Sequence, residues 1–383
     1  MIIYFFVAIL SLLCIYFGLR YAAKSKWLGR LLIVAGIVLP CLLAAGRSVE
    51  IGTDTNGYIS HLFGLAQKTD NIGELFSTAN SWYTISDPLY VVLNFLVAYV
   101  FNNFHVFLFF AELLIIVPIF VALYKSRKSD KEILIGMTLF FLFEYNVTFN
   151  MLRQGIAISF IVLMIYFLTN GKNLKSVICL LIAIGFHSIA MICLPVLFIY
   201  WALKNIKEQK RKMVSVVVYV SLITFVIFFE GIVMLLYNMG AYEHGKVFLE
   251  RYSTHFDFSF IDTATYLIAI IAYWLGSNWS NTRKGYNHDF YMILGIGSLI
   301  LLSLGWKVMY LERVSFYLFY PFLLYVVPKI LQGGDDSKGK KKTYISRLVF
   351  VLMVYFVLYW VVEFAVFNIH STVPYKFASL GMI

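Results

Sequence analysis

Long apolar runs separated by short polar breaks recur along the whole chain, and this pattern governs the reading of everything else. A bilayer core about 30 Å thick takes roughly 20 predominantly apolar residues per crossing helix. Suitable segments run Ile2 to Leu19, Leu31 to Gly46, Pro88 to Val100, Phe104 to Tyr124, Glu132 to Phe149, Gln154 to Leu168, Val177 to Trp201, Val214 to Tyr237, Ala264 to Trp279, Phe290 to Leu304, Val314 to Leu331, and Leu348 to Phe367. Twelve spans are therefore expected. The runs are continuously apolar, whereas a barrel strand alternates its faces at every second residue, so helices are predicted and not strands. The expected fold class is all-α: a polytopic transmembrane helix bundle. With no Gly/Ser- or Pro-rich linker and no visible internal repeat, residues 1–383 read as a single integral membrane domain.

Composition sharpens this picture. Of 383 residues, 61% are hydrophobic, 18% aromatic and only 13% charged, which leaves no stretch for a soluble catalytic domain. The first run has neither a basic leader nor a small-residue cleavage site and reads as a retained helix. Cys14, Cys41, Cys179 and Cys193 lie inside apolar runs without metal-ligand spacing, so core packing is expected of them.

The formal charge of +11 sits mostly in short loops, and basic loops favour the cytoplasmic side. Arg20, Lys24, Lys26 and Arg30, then Lys204 to Lys212, then Arg283 with Lys284, and Lys338 to Lys342 with Arg347 all vote for one orientation. Both termini, Arg47 to Asp87, Asn238 to Asp262 and the turn Lys307 to Arg313 then face outward. The basic loops Lys125 to Lys131 and Lys172 with Lys175 dissent. Gln332 to Lys342 reads as a solvated topogenic loop. Arg153 precedes an apolar segment of only about 15 residues against the ~20 a span needs, which points to a re-entrant hairpin with Arg153 in a cavity.

Candidate chemistry lies in four places. The external segment Gly46 to Tyr58 is polar and turn-rich, with Arg47 and Asp54 within reach of one another; a guanidinium is suited to gripping phosphate through two hydrogen bonds. The plain alternative is an interfacial anchor and a turn aspartate. Arg153 and Gln154 open a small-residue helix start, where the alternative is a snorkelling arginine. His187 falls roughly midway along its span and suits proton transfer, or equally interhelical packing. Lys307, Glu312 and Arg313 lie on the expected outer side, with Tyr317 one turn beyond Arg313. Glu112, Glu144, Glu230 and Glu363 fall within or beside apolar runs. No phosphate loop, dinucleotide fingerprint or zinc signature competes. Arg47, Arg153, His187 and Arg313, if they converge on an outward cavity, would suit an anionic, lipid-linked substrate.

Arg47-x6-Asp54-x3-Tyr58, Asp87-Pro88-Leu89-Tyr90, Arg153-Gln154-x2-Ala157, Phe186-His187-Ser188, Glu312-Arg313 and Pro374-Tyr375-Lys376, in that order, resemble the EpsG-type family. These are bacterial exopolysaccharide polymerases related in role to the Wzy O-antigen polymerases. Asp87 stands where glutamate is expected, a change that keeps the charge. The resemblance implies a glycosyltransferase in the cytoplasmic (inner) membrane that joins undecaprenyl-diphosphate-linked oligosaccharide repeat units on its outer face. On physical grounds Arg153 and Arg313 are expected to hold the departing diphosphate, and Asp54 or His187 to act as the base, Asp54 being favoured because it lies in the polar external loop where a sugar can reach. Arg47, Tyr58, Gln154, Lys307, Arg313 and Tyr317 are expected to contact substrate. Trp82, Tyr83 and Trp306 are placed to stack on sugar rings or to form an aromatic belt. Membrane lipid and a chain-length regulator protein are the expected partners; no metal, cofactor or nucleic acid is. A flippase of lipid-linked sugars, a membrane acyltransferase and a glycosyltransferase using a lipid-phosphate sugar are the competing readings.

Overall fold

The computed structural model describes residues 1–83, 87–239, 260–279, 285–304, 310–335, 337 and 339–378. Among these the chain is helical throughout, apart from its turns and one isolated antiparallel bridge between Arg47 and Phe377. Two compact units form, Met1–Met191 with Met353–Ile383, and Ile192–Leu352.

The first unit opens on the hairpin of α1 (Ile2–Tyr21) and α2 (Lys26–Ala45). Ser25 starts α2 by accepting from the Leu28 N–H at 3.4 Å, satisfying one of the unpaired first-turn donors. The two backbones approach closely where Gly18 faces Gly29: a Cβ on Gly18 would lie 2.8 Å from the Gly29 carbonyl. Small residues are what allow such contact between apolar helices. A π-helical turn, Thr55–Ile59, then leads into α3 (Ser60–Ala66) and α4 (Ile72–Tyr83). The unit continues with α5 (Pro88–Phe101), α6 (Phe104–Ser126), α7 (Asp130–Leu139) and α8 (Tyr145–Thr148). It is completed by α9 (Leu152–Thr169), α10 (Asn173–Phe186) and the C-terminal segment. Helix α9 packs on α6, and Ser159 donates across that contact to the Leu114 carbonyl at 3.0 Å.

The second unit holds α11 (Leu194–Asn205), α12 (Glu208–Ile227), α13 (Phe229–Asn238), α14 (Phe260–Trp279), α15 (Tyr286–Leu304) and α16 (Tyr310–Asp335). Helix α17 (Lys340–Trp360) runs out of it into the first unit. Helix α16 is the unit's core, packed by α14 and α15; Tyr266 stacks on Phe319 with ring centroids 3.5 Å apart and shares a 3.0 Å hydrogen bond with Ser315.

Among the described residues eight helices are long and apolar enough to cross a membrane, and nine if the bent pair α12 and α13 counts as one span. The chain is thus a multi-pass membrane protein with fewer full-length spans than the twelve apolar segments. Each of those segments does fall on helix, and the shortfall has local causes. Pro88–Phe101 is only 14 residues long. The run from Asp130 is interrupted by a π-helical turn, Phe140–Glu144, after 10 residues of α7. Helix α15 begins Tyr-Asn-His-Asp, so its first turn is polar. The segment Val177 to Trp201 breaks at His187, leaving α10 on one side and a span of Ser188–Asn205 on the other. Arg153 was the expected site of a re-entrant hairpin; α9 runs 18 residues from Leu152 and is long and apolar enough to cross a membrane. The sharply broken pair lies elsewhere, at α12 and α13, which bend by 62°. Trp306 and Lys307, Arg283 with Lys284, and most of Asn238 to Asp262 lie outside the described residues, as do the side chains of Trp82 and Tyr83.

The C-terminal segment closes over the first unit. Ser48 donates to the Lys376 carbonyl, Ala378 to that of Gly46, and Gly52 to that of Ser371. At the rim Lys376 pairs with Glu50 at 2.5 Å, with both side chains more than half exposed. The ammonium holds the Glu50 carboxyl below its ordinary range. A carboxyl depressed in the folded state stabilises above its unfolded value and loses that contribution as pH falls through the folded one. The pair is solvated and screened, so the contribution is small. Lys376→Ala is accordingly expected to lower the thermal midpoint only marginally at neutral pH and to match wild type in acid, so that its fall on acidification is slightly flatter; a large drop at neutral pH would show that the closure depends on this pair.

Candidate active site

Helix α5 begins with Asp-Pro. Proline is well placed at the first helical position, and an aspartate before it ordinarily caps the free N–H groups of the first turn. Asp87 does not cap α5. Its carboxylate is only 3% exposed and is turned toward other elements: Oδ2 accepts from Arg153 Nη1 at 2.6 Å, and Oδ1 from the Ser188 backbone N–H at 2.8 Å. A carboxylate in an apolar interior requires such partners.

The Ser188 contact explains the break in the apolar run around His187. Helix α10 packs on α5 where a Cβ on Gly185 would come within 2.6 Å of the Leu89 side chain. At that close approach His187 turns to extended backbone, and the N–H freed at Ser188 finds the Asp87 carboxylate. His187, expected midway along a span, therefore sits at a helix end beside Asp87.

Arg153 is the second residue of α9, two positions after the turn at Phe149–Met151. Besides Asp87 it donates through Nε to the Tyr58 hydroxyl at 3.4 Å, and its guanidinium carbon lies 4.7 Å from the Tyr58 ring centroid and 5.7 Å from that of Tyr90. Cation–π contact of this kind fixes the orientation of the planar fork. Of the ion pair, Arg153 is the more open member, with 19% of its side chain exposed.

Asn150 ties this corner to the rest of the unit. Its carbonyl oxygen accepts from Thr53 Oγ1 at 2.5 Å and from the Asp54 N–H at 2.8 Å, while its amide nitrogen lies 3.3 Å from His370 Nδ1. Asp54 is thereby held by its backbone and is half-buried, just before the π-helical turn that carries Tyr58. Four residues earlier Asn146 accepts from Trp360 Nε1 at 3.0 Å and donates to Thr372 at 3.0 Å. Segments 47–58, 146–153 and 370–377 thus meet with Asp87 and His187 in one polar corner of the first unit.

The remaining expected residues are placed as follows. Arg47 was grouped with substrate-facing cations, but it is wholly buried: it donates to the carbonyls of Ala44 and Phe149 at 3.3 and 3.4 Å and lies 4.4 Å from the Phe149 ring centroid. With no exposed surface it braces the corner from behind and does not line it. Gln154 is buried beside Arg153. Glu112 and Glu144 are buried too, with Thr148 donating to Glu112 at 3.3 Å. Arg313, half-buried, and Tyr317, 1% exposed, share α16 in the second unit. Among the described residues no cluster of three or more His, Cys, Asp or Glu side chains is placed to hold a metal ion.

Sequence reading did not single out Asn146, Asn150 or His370, and quoted Asp87 and Tyr90 only as motif letters. The available signal was two asparagines at a four-residue spacing in an aromatic apolar run, which places both on one helical face.

Residues 30–377 match the model of the EpsG family. No curated protein and no solved structure matches the chain.

Proposed function

The chain belongs to the EpsG family, and we propose that within the role in exopolysaccharide synthesis which that membership suggests, it is the polymerase. It joins undecaprenyl-diphosphate-linked oligosaccharide repeat units on the outer face of the cytoplasmic membrane. The observation that carries this reading is Arg153, a guanidinium fixed by Asp87 and Tyr58 yet partly open, in the polar corner of the first unit.

In the reaction, an acceptor sugar hydroxyl attacks the anomeric carbon of the donor glycan as the bond to the carrier's diphosphate breaks. Negative charge grows on the leaving diphosphate. A guanidinium already held in place stabilises that charge without reorganising, where a mobile one would have to be ordered first. Asp87, bonded through both oxygens, positions Arg153. Asp54 takes the hydroxyl proton, held by Asn150 at the edge of the corner where a sugar can reach it, with His187 as the alternative base. Arg313 is assigned a substrate contact by its Glu-Arg motif alone; Tyr317, one turn beyond it, is 1% exposed and is not assigned one.

The test is a deletion strain complemented with wild type or with Asp54→Asn, followed by sizing of the lipid-linked glycan. Asp54→Asn is expected to keep wild-type membrane levels and lose long polymer, by roughly the 10²–10⁴-fold that general base catalysis contributes. Single repeat units should accumulate on the outer leaflet. Trapping on the inner leaflet would indicate a flippase, full-length polymer lacking a substituent an acyltransferase, and normal polymer in the variant would remove Asp54 from the mechanism.

A further inference from the structure

The second unit contains a polar cavity of about 360 Å³ that the polymerase reading does not use. It lies at one end of three helices, where α14 finishes, α15 begins and α16 approaches its end. The walls include Tyr273, Ser277, Asn287, His288, Tyr291 and Lys329. Sixteen residues of helix separate Lys329 from Arg313, about 24 Å at 1.5 Å per residue, so the cavity and the Arg313 end of α16 lie at opposite ends of one span. Tyrosines gathered at the end of apolar helices mark the level of the lipid headgroups.

The charges in the cavity are arranged for an anion. Lys329 makes no ion pair among the described residues; its ammonium rests 4.2 Å from the Tyr291 ring centroid. An aromatic face holds a cation in place without neutralising it, and so leaves it available to a ligand. His288 is buried, stacked on Tyr273 at 5.2 Å, and its Nε2 shares a 3.1 Å hydrogen bond with Ser277. The Asp289 carboxylate lies 3.6 Å from His288 Nδ1 and is not among the residues that line the cavity. The N-terminus of α15 adds the positive end of a 19-residue helix. Ser277 donates its own hydrogen to the Trp274 carbonyl at 3.0 Å, so it accepts from His288 Nε2 and fixes the ring, leaving Nδ1 buried without a hydrogen bond. The Lys329 ammonium and the helix N-terminus are the groups that suit a tetrahedral phosphate.

We infer that this cavity binds a phosphate ester, with Lys329 as its anchoring cation and His288, set by Ser277, beside it. Two sources carry that chemistry: the headgroup of an anionic phospholipid, and soluble phosphate.

Purified full-length protein would be equilibrated with phosphatidylglycerol or with phosphatidylcholine, and the lipids retained counted by native mass spectrometry. In parallel, thermal unfolding in detergent would be followed against inorganic phosphate. Wild type should retain one phosphatidylglycerol in preference to phosphatidylcholine, or be stabilised by millimolar phosphate; the first outcome assigns the site to lipid, the second to a soluble ligand. Lys329→Met, which keeps the apolar stem, should weaken the effective probe by about tenfold, the loss of one charge-assisted contact. Lys329→Arg should restore it, which separates loss of charge from loss of fold. Retention of both probes by Lys329→Met at wild-type strength, or failure of wild type to bind either, overturns the inference. Polymer formation is not the readout, so failure here leaves the polymerase reading standing.

Discussion

Arg153→Ala is expected to abolish long polymer and to destabilise the protein by about 3–5 kcal/mol, the cost of leaving one partner of a buried ion pair unpaired. The large figure follows from Asp87, which is 3% exposed and would keep its charge with only the Ser188 N–H for company. Loss of activity by this variant alone would therefore not distinguish catalysis from folding. Two further variants do. Arg153→Lys preserves the charge and can still meet Asp87, but it loses the planar fork that donates to Asp87 and Tyr58 at once. It should reach the membrane at near wild-type level and make little polymer. The double variant Asp87→Asn with Arg153→Gln removes both charges while leaving a carbonyl oxygen at position 87 to accept from Ser188, so it should recover most of the stability and none of the polymer. Thermal unfolding of purified protein, read beside glycan sizing in the complemented strain, checks all three. Normal polymer from Arg153→Lys would reduce Arg153 to a structural anchor.

The second large effect is expected at Gly52. Its φ of +82° lies in the left-handed region that L side chains rarely adopt, and a Cβ there would sit 2.5 Å from the Phe149 carbonyl oxygen and 3.0 Å from the carbonyl carbon. The obstacle is backbone, which cannot swing aside as a side-chain tip can. The same carbonyl accepts from Thr55 Oγ1 at 3.0 Å and from Arg47 at 3.4 Å, while the Gly52 N–H donates to Ser371 at 3.2 Å. Gly52→Ala should thus cost more than about 2 kcal/mol, from the conformational strain together with the displaced contacts. Because the displacement passes through Phe149 to Asn150 and the Asp54 N–H, polymer should fall further than membrane level does. A variant that unfolds like wild type would mean the loop can rotate away from Phe149, and would place Asp54 on a softer support than its hydrogen bonds imply.

What could be read from the chain itself was everything that depends on local pattern. Apolar runs near bilayer length specify helices, because in lipid each backbone N–H and C=O must be satisfied within its own segment. All twelve runs became helix for that reason, and the ordered motifs from Arg47 to Lys376 were enough to suggest the family. Where helices stop was a different matter. The run through His187 is apolar enough to continue, and it breaks because Gly185 seats against Leu89 and a carboxylate 101 positions away receives the Ser188 N–H. Arg153 and Asp87 are 66 positions apart, and Asn150 and His370 are 220 apart. No local periodicity encodes such pairings, since the cost of burying a polar group becomes affordable only once the partner's element has packed beside it. The same physics sorted the arginines. Arg47 and Arg153 look alike as single cations beside apolar runs, but carbonyls and an aromatic ring enclose one completely, whereas a carboxylate and a tyrosine hold the other partly open. Tertiary packing alone made that distinction, because exposure is a property of neighbours and not of the residue.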